Sequence, residues 1–248
     1  MCNLCVRHDT VDNRPLSPSR RIALGMLGAI PLFGISSAAL AASKKIPPKP
    51  ANILSPDQAI ERLIAGNKRY TSGKTQYRKF ASTRDALAIK QNPYACILGC
   101  ADSRVSPELC FDEERGDLFV TRVAGNYVTN DILASLEYGV RVLKSPLIMV
   151  LGHTQCGAID AAVSAYEKHT EYPGHIQNIV TAVMPSVRTA AHKSQGPLLQ
   201  AAILENIRHN VQQLQNATPI LSNAVRSGEI RVIGGLYTLG TGQVELVA

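Results

Sequence analysis

Three short apolar runs stand out along the chain: "YACILGC" at 94–100, "DLFVTRVAG" at 117–125 and "PLIMVLGHT" at 146–154. They are apolar almost throughout instead of alternating, and each is too short for a core helix, so they read as parallel strands buried on both faces. Between the second and third runs, Ile132, Leu136, Val140 and Leu143 recur at helical spacing. That stretch is the predicted helix of a β-α-β crossover. Upstream, "SPDQAIERLIAGNKRY" carries a helix-start signal: Ser55 is placed to cap, Pro56 to open the first turn and Gln58 to close a capping box. Ile60, Leu63 and Ile64 form its apolar face, so this helix reads as packing. Nearer the C-terminus, Leu199, Ile203, Ile207, Val211 and Leu214 share one helical face. "IRVIGGLYTLGTGQVELVA" then reads as a strand, a Thr-Gly turn and a returning strand. The predicted fold class is α/β, a mostly parallel central β-sheet flanked by helices with an antiparallel C-terminal edge strand. In such sheets, sites form beyond the carboxyl ends of the strands.

The first forty residues follow another pattern. Arg20 and Arg21 precede an apolar run from Ile22 to Ile35 and a small-residue Ala39-Leu40-Ala41 site. The stretch 1–41 reads as a cleavable export signal of the twin-arginine type, with a Lys/Pro-rich linker over 42–53 and one domain over 54–248. A membrane anchor is the weaker reading, because the run is shorter than the ~20 residues a spanning helix needs and is broken by glycines and a proline. The expected location is periplasmic or otherwise exported, with no stable anchor after cleavage.

Composition alters this picture little. With 45% hydrophobic and 18% charged residues, the chain matches an ordinary globular protein. A net charge of +7 raises nucleic acid as a partner, but the basic residues are scattered and no aromatic-rich basic strand accompanies them. Nucleic acid is therefore not an expected partner.

Cysteines matter more. Cys2 and Cys5 fall in the leader, which leaves Cys96, Cys100, Cys110 and Cys156. Four cysteines in an exported protein suggest two disulfides by default. Against this, Cys100 and Cys156 stand among other potential metal ligands, and a route that exports folded protein lets a metal protect its thiolates beforehand. Cys96 and Cys110 lie in apolar surroundings and read as buried free thiols.

"GCADSR" ends the first strand and "GHTQCG" the third. If those strands are neighbours, Cys100, His153 and Cys156 emerge together at one sheet edge. Two thiolates and an imidazole suit zinc, with a fourth tetrahedral position left for water. Asp102 either fills that position or turns aside as a hydrogen-bond acceptor, and Arg104 on the same side can hold it with a two-pronged fork. Singly these signals are weak: His-x-x-Cys recurs by chance, and Asp102 with Arg104 also fits a structural ion pair. The other five histidines are isolated and read as packed or surface residues.

Taken together, "CADSRV" at 100–105, "DLFVTRVAGN" at 117–126, "SLEYGV" at 135–140, "GHTQCGA" at 152–158 and "GGLYTLGTGQV" at 234–244 resemble the β-class carbonic anhydrases from about residue 52 onward. The resemblance implies reversible hydration of carbon dioxide to bicarbonate and a proton by zinc-bound hydroxide. It also implies zinc on Cys100, His153 and Cys156, and a catalytic Asp102–Arg104 dyad in which Asp102 becomes a fourth ligand in a capped state. A homodimer or dimer of dimers is implied as well, and substrate or bicarbonate binding falls to Arg122, Tyr237 and Gly157. The family's bicarbonate pocket uses a tryptophan three residues before the first cysteine; here that position is Ile97, and the chain has no tryptophan. Two other functions stay open to the sequence: hydrolysis of carbonyl sulfide or carbon disulfide on the same fold, and noncatalytic zinc or bicarbonate binding.

Overall fold

The computed structural model describes residues 53–76, 80–193 and 195–248; the predicted export signal and the linker up to residue 52 lie outside them. In chain order the elements are α1 (Pro56–Thr71), α2 (Phe80–Ile89), β1 (Ala95–Gly99), α3 (Pro107–Cys110), β2 (Leu118–Arg122), α4 (Asn130–Arg141) and β3 (Leu147–His153). They continue with α5 (Gly157–Lys168), α6 (Ile176–Lys193), α7 (Leu198–Gln215), α8 (Ile220–Arg226), β4 (Arg231–Tyr237) and β5 (Val244–Leu246). The sheet order is β2-β1-β3-β4-β5. Its first four strands are parallel, and β5 returns antiparallel to β4.

The three apolar runs are β1, β2 and β3. Since β1 pairs with both β2 and β3, the β2–α4–β3 crossover passes over β1 and makes the first and third runs neighbours. Every residue of β1 and β3 is buried, because helices cover both faces. On one face Cys96, Leu98, Ile148, Val150 and Leu236 share a core with Leu136, Ile159, Val183 and Ile207 of α4 to α7. On the other, Ile97, Met149, Leu151 and Tyr237 pack with Leu63 of α1 and with Phe111. Helix α7 lies directly on the strands: a Cβ on Gly152 or Gly234 would come within 2.7 and 2.5 Å of Ile207. Bare backbone at those two positions lets the helix approach so closely.

Helix α1 begins as expected, with both halves of the capping box formed between Ser55 and Gln58. Its buried set differs from the apolar face read from sequence. Leu63 is buried but Ile60 and Ile64 only partly, while Ala59, Gly66 and Asn67 are buried instead. Asn67 donates to the carbonyls of Cys110 and Gly242 and accepts from Val244 N, so α1 staples the β4–β5 hairpin to the end of α3. Leu143, expected on the crossover helix, falls two residues past its end.

Candidate metal centre

Cys100 follows β1 and continues the side of Cys96 and Leu98, whereas His153 ends β3 on the side of Met149 and Leu151. The two side chains thus approach from opposite faces and meet where the strands run out. After His153, Gln155 adopts φ 56°, and the chain turns so that Cys156 caps the N-terminus of α5. The Cys100 and Cys156 sulfurs lie 3.9 Å apart, and the donor atoms of Cys100, His153 and Cys156 all fall within 4.8 Å of one another. A disulfide needs about 2.05 Å. All four described cysteines are free, so the default expectation of two disulfides does not hold for Cys96, Cys100, Cys110 and Cys156.

His153 is fully buried, with Nδ1 3.0 Å from the Thr154 carbonyl. That contact makes Nδ1 the donor and leaves the Nε2 lone pair free. Nε2 has no hydrogen-bond partner. A buried, unpaired polar atom costs about 1–3 kcal/mol, and its position against two sulfurs accounts for it if the three hold a cation. An N/S/S donor set fits zinc. The Cys156 thiol hydrogen-bonds to Cys100 and holds the Cys100 thiol well below the ordinary range, against the opposing effect of burial, with Gly125 N–H assisting at 3.3 Å. Cys156 is pushed up in turn by the same hydrogen bond and by burial. Burial would lower the pKa of His153, but the Cys100 thiolate outweighs it and raises the value.

Beside this cluster, Asp102 is gripped by Arg104. Nε donates to Oδ1 at 2.9 Å, Nη2 to Oδ2 at 2.7 Å, and the Arg104 backbone N–H to Oδ1 at 2.9 Å. These hydrogen bonds hold the carboxyl well below the usual carboxylate range, against the opposing effect of burial. Oδ2 remains 3.8 Å from His153 Nε2. The predicted dyad is therefore formed, and its carboxylate faces the arginine while bordering the cluster.

The three residues assigned to bicarbonate each adjoin a residue of the cluster through backbone: Arg122 at Cys100, Tyr237 in register with His153, and Gly157 next to Cys156. Arg122 donates from Nε to the Cys100 carbonyl and from Nη2 to the Asp102 carbonyl, both at 2.7 Å, and so pins the 100–102 loop. Tyr237 is buried, its hydroxyl 3.2 Å from that of Tyr70 on α1. Gly157 opens α5, and a Cβ there would meet nothing within 4 Å. Ile97 is a fully buried residue of β1. Sequence reasoning did not anticipate Gly125 as a donor to Cys100, Thr154 as the acceptor that sets the His153 tautomer, or Tyr70. Gly125 and Thr154 stood inside quoted motifs, yet both act through backbone atoms, which side-chain pattern does not reveal.

Comparison with known proteins agrees with this geometry. A carbonic anhydrase family model matches residues 95–244. The chain is 36% identical to a carbonic anhydrase of Mycolicibacterium smegmatis over 192 residues, 77% of this chain and 93% of that protein. It is 35% identical to carbonic anhydrase 2 of Mycobacterium tuberculosis over 192 residues, 77% of this chain and 92% of that protein. Among solved structures, a Coccomyxa β-carbonic anhydrase in complex with acetazolamide is similar at TM-score 0.55 and 32% identity, covering 76% of this chain and 81% of that one. The β-carbonic anhydrase CcaA is similar at TM-score 0.59 and 28% identity, covering 76% and 98%.

Proposed function

Because this chain belongs to the β-carbonic anhydrase family and catalyses the reversible hydration of carbon dioxide, we propose that Cys100, His153 and Cys156 hold the zinc ion the reaction needs. The observation that carries this assignment is the buried His153 Nε2, left without a partner against two sulfurs. When bound, zinc supplies the Lewis acidity that makes hydroxide available as a nucleophile near neutral pH. Everything else falls to the chain's own groups. Thr154 fixes the imidazole tautomer through its carbonyl. Asp102 presents an ionised acceptor that orients the nucleophile's remaining hydrogen, and Arg104 keeps that carboxylate from turning onto the cluster. Arg104 is thus the latch of a gate whose closed form has Asp102 as fourth ligand. Bicarbonate is assigned to Arg122, Tyr237 and Gly157. Open space over Gly157 supports this, as does the position of Tyr237 in register with His153.

The test is metal analysis and a carbon dioxide hydration assay on the chain from residue 42. One zinc per chain with hydration is expected. One zinc without hydration at any pH would make the protein a zinc-binding one, and no zinc would overturn the ligand assignment.

We further assign the chain to the exported fraction of the cell and to a homodimer or dimer of dimers. Export is supported by Arg20-Arg21 and the Ala39-Leu40-Ala41 site. Replacing both arginines by lysine should leave precursor in the cytoplasm, and unchanged export would overturn the route. Self-association is supported by the β2 edge of the sheet and by Tyr138 and Val142, exposed at the end of α4. Sedimentation should show no monomer at micromolar concentration.

A further inference from the structure

Helix α7 carries two asparagines one turn apart inside an otherwise apolar buried face, between Ile203, Ile207, Val211 and Leu214. Asn206 and Asn210 are 2% and 1% exposed. Amides in such a position cost stability unless fully paired, so their partners indicate what they are for. Both point at the loop that follows β2. Asn206 Nδ2 donates to the Gly125 carbonyl at 2.9 Å, and Asn210 Oδ1 accepts from Val128 N at 2.7 Å. Asn210 Nδ2 donates to the Asn206 carbonyl at 2.8 Å and to its Oδ1 at 3.2 Å. From α6, the Ser186 hydroxyl also donates to Asn206 Oδ1, at 3.4 Å. The Asn206 amide is therefore fixed from two sides.

What this ladder holds is the residue whose N–H reaches Cys100 Sγ at 3.3 Å. Gly125 stands at φ +89°, a conformation that side chains rarely adopt. A Cβ there would lie 3.3 Å from both the Ala158 and Val183 side chains. Gly125 is thus held at its N–H by the sulfur and at its carbonyl by the Asn206 amide, within a turn closed by Asn126 N donating to the Val123 carbonyl at 2.9 Å. From this geometry we infer that Asn206 is a positioning residue of the metal centre: by gripping the Gly125 carbonyl it aims the Gly125 N–H at the Cys100 sulfur and so holds that sulfur in place as a thiolate ligand. The inference rests on the assignment of Cys100 as a ligand. An N–H···S hydrogen bond withdraws charge from the sulfur, and partners of this kind are worth about 10–100-fold in metal affinity or activity.

The test uses the protein loaded with cobalt, whose sulfur-to-metal charge-transfer band reports directly on the thiolates, together with chelator competition for zinc. Asn206→Ala should move the band to longer wavelength and weaken zinc binding by about tenfold or more. Asn67→Ala removes an equally buried amide on the opposite side of the sheet. It should lower thermal stability but leave the band in place. Should Asn206→Ala fold poorly, Asn206→Ser retains a small polar side chain too short to reach Gly125 and should show the same spectral shift. In metal-free protein labelled with ¹⁵N-glycine, the Gly125 amide proton should move upfield in either variant, as its hydrogen bond to sulfur is lost. If both Asn206 variants lose stability while band, affinity and amide resonance stay unchanged, the ladder only anchors a loop and the inference is wrong. Absence of a thiolate band in the parent protein would instead overturn the ligand assignment, and this inference with it.

Discussion

Two arginine–carboxylate forks in this molecule are built from the same parts and do different things. Arg104 clasps Asp102 through Nε and Nη2, and Arg62 clasps Glu113 in the same way, at 3.0 and 2.6 Å. The first joins residues two apart within one loop. The second joins α1 to the segment after α3, with the guanidinium 4.1 Å above the Tyr94 ring and the Tyr94 hydroxyl donating to the same carboxylate. Both oxygens of Glu113 are thereby paired, which makes its fork a cross-brace. Asp102 keeps one neighbour unsatisfied, the unpartnered His153 Nε2 at 3.8 Å. The geometry of a fork does not say whether it is structural; the state of its next neighbour does.

Removing that neighbour is the harshest way to break the comparison. His153→Ala should cost more than about a thousandfold in hydration, since the metal that supplies the nucleophile loses a ligand. In that background Arg104→Ala should add no further loss. A further drop would show that the arginine acts independently of the cluster.

In the otherwise native protein, Arg104→Ala should lower hydration about 10–100-fold with zinc retained, because the released carboxylate takes the position the nucleophile needs. Arg62→Ala should do the reverse: hydration within about twofold, and stability lower by about 2 kcal/mol in chemical denaturation. That is below the ~3–5 kcal/mol of a fully buried pair, because the Arg62 side chain is already 33% exposed. Equal effects of the two variants on activity would erase the distinction.

The carboxyls should also titrate in opposite directions. Hydrogen bonds from Arg104 pull Asp102 down, so its stabilising contribution is present above the ordinary aspartate value near 4 and is lost as pH falls through the lower native one. Burial pushes Glu113 up despite Arg62, so its contribution is present below the ordinary glutamate value and is lost as pH rises through the higher native one. Carbon-13 NMR of the two carboxyls should place them on either side of the free values, and a shared direction would refute the contrast. The smallest effect belongs to Tyr94→Phe. Loss of one hydroxyl donor to Glu113 should cost about 1 kcal/mol and leave zinc affinity alone; altered metal binding would mean that the brace communicates with the centre.

Much of this was legible in the chain. The uniformly apolar runs at 94–100 and 146–154 mark strands covered on both faces, and Cys100 at the end of the first and His153 near the end of the second bring two candidate ligands to one edge of the sheet. Helices α5 and α6 were not anticipated. Within α6, Pro185 sits where a proline usually argues against a helix, and packing of Val180, Val183 and Val187 overrides that local preference. The two asparagines of α7 were equally hidden. Periodicity registers apolar positions such as Ile203 and Ile207, and an amide buried among them looks like noise until its partner, a carbonyl some eighty residues away in the chain, is known.

Because the support of His153 comes from the far end of the chain, the order of synthesis has a consequence. Cys100, His153 and Cys156 all exist once residue 156 has been made, yet His153 is then held by only part of its support. Thr154, which sets the imidazole, takes its own hydrogen bonds from the far end of the chain: its N–H donates to the Tyr237 carbonyl at 3.0 Å and its hydroxyl accepts from Leu239 N at 3.0 Å. A nascent chain that stops short of β4 would carry Cys100, His153 and Cys156 without the hydrogen bonds that seat Thr154, so the pocket proposed for zinc would be complete only once residues 237 and 239 are made.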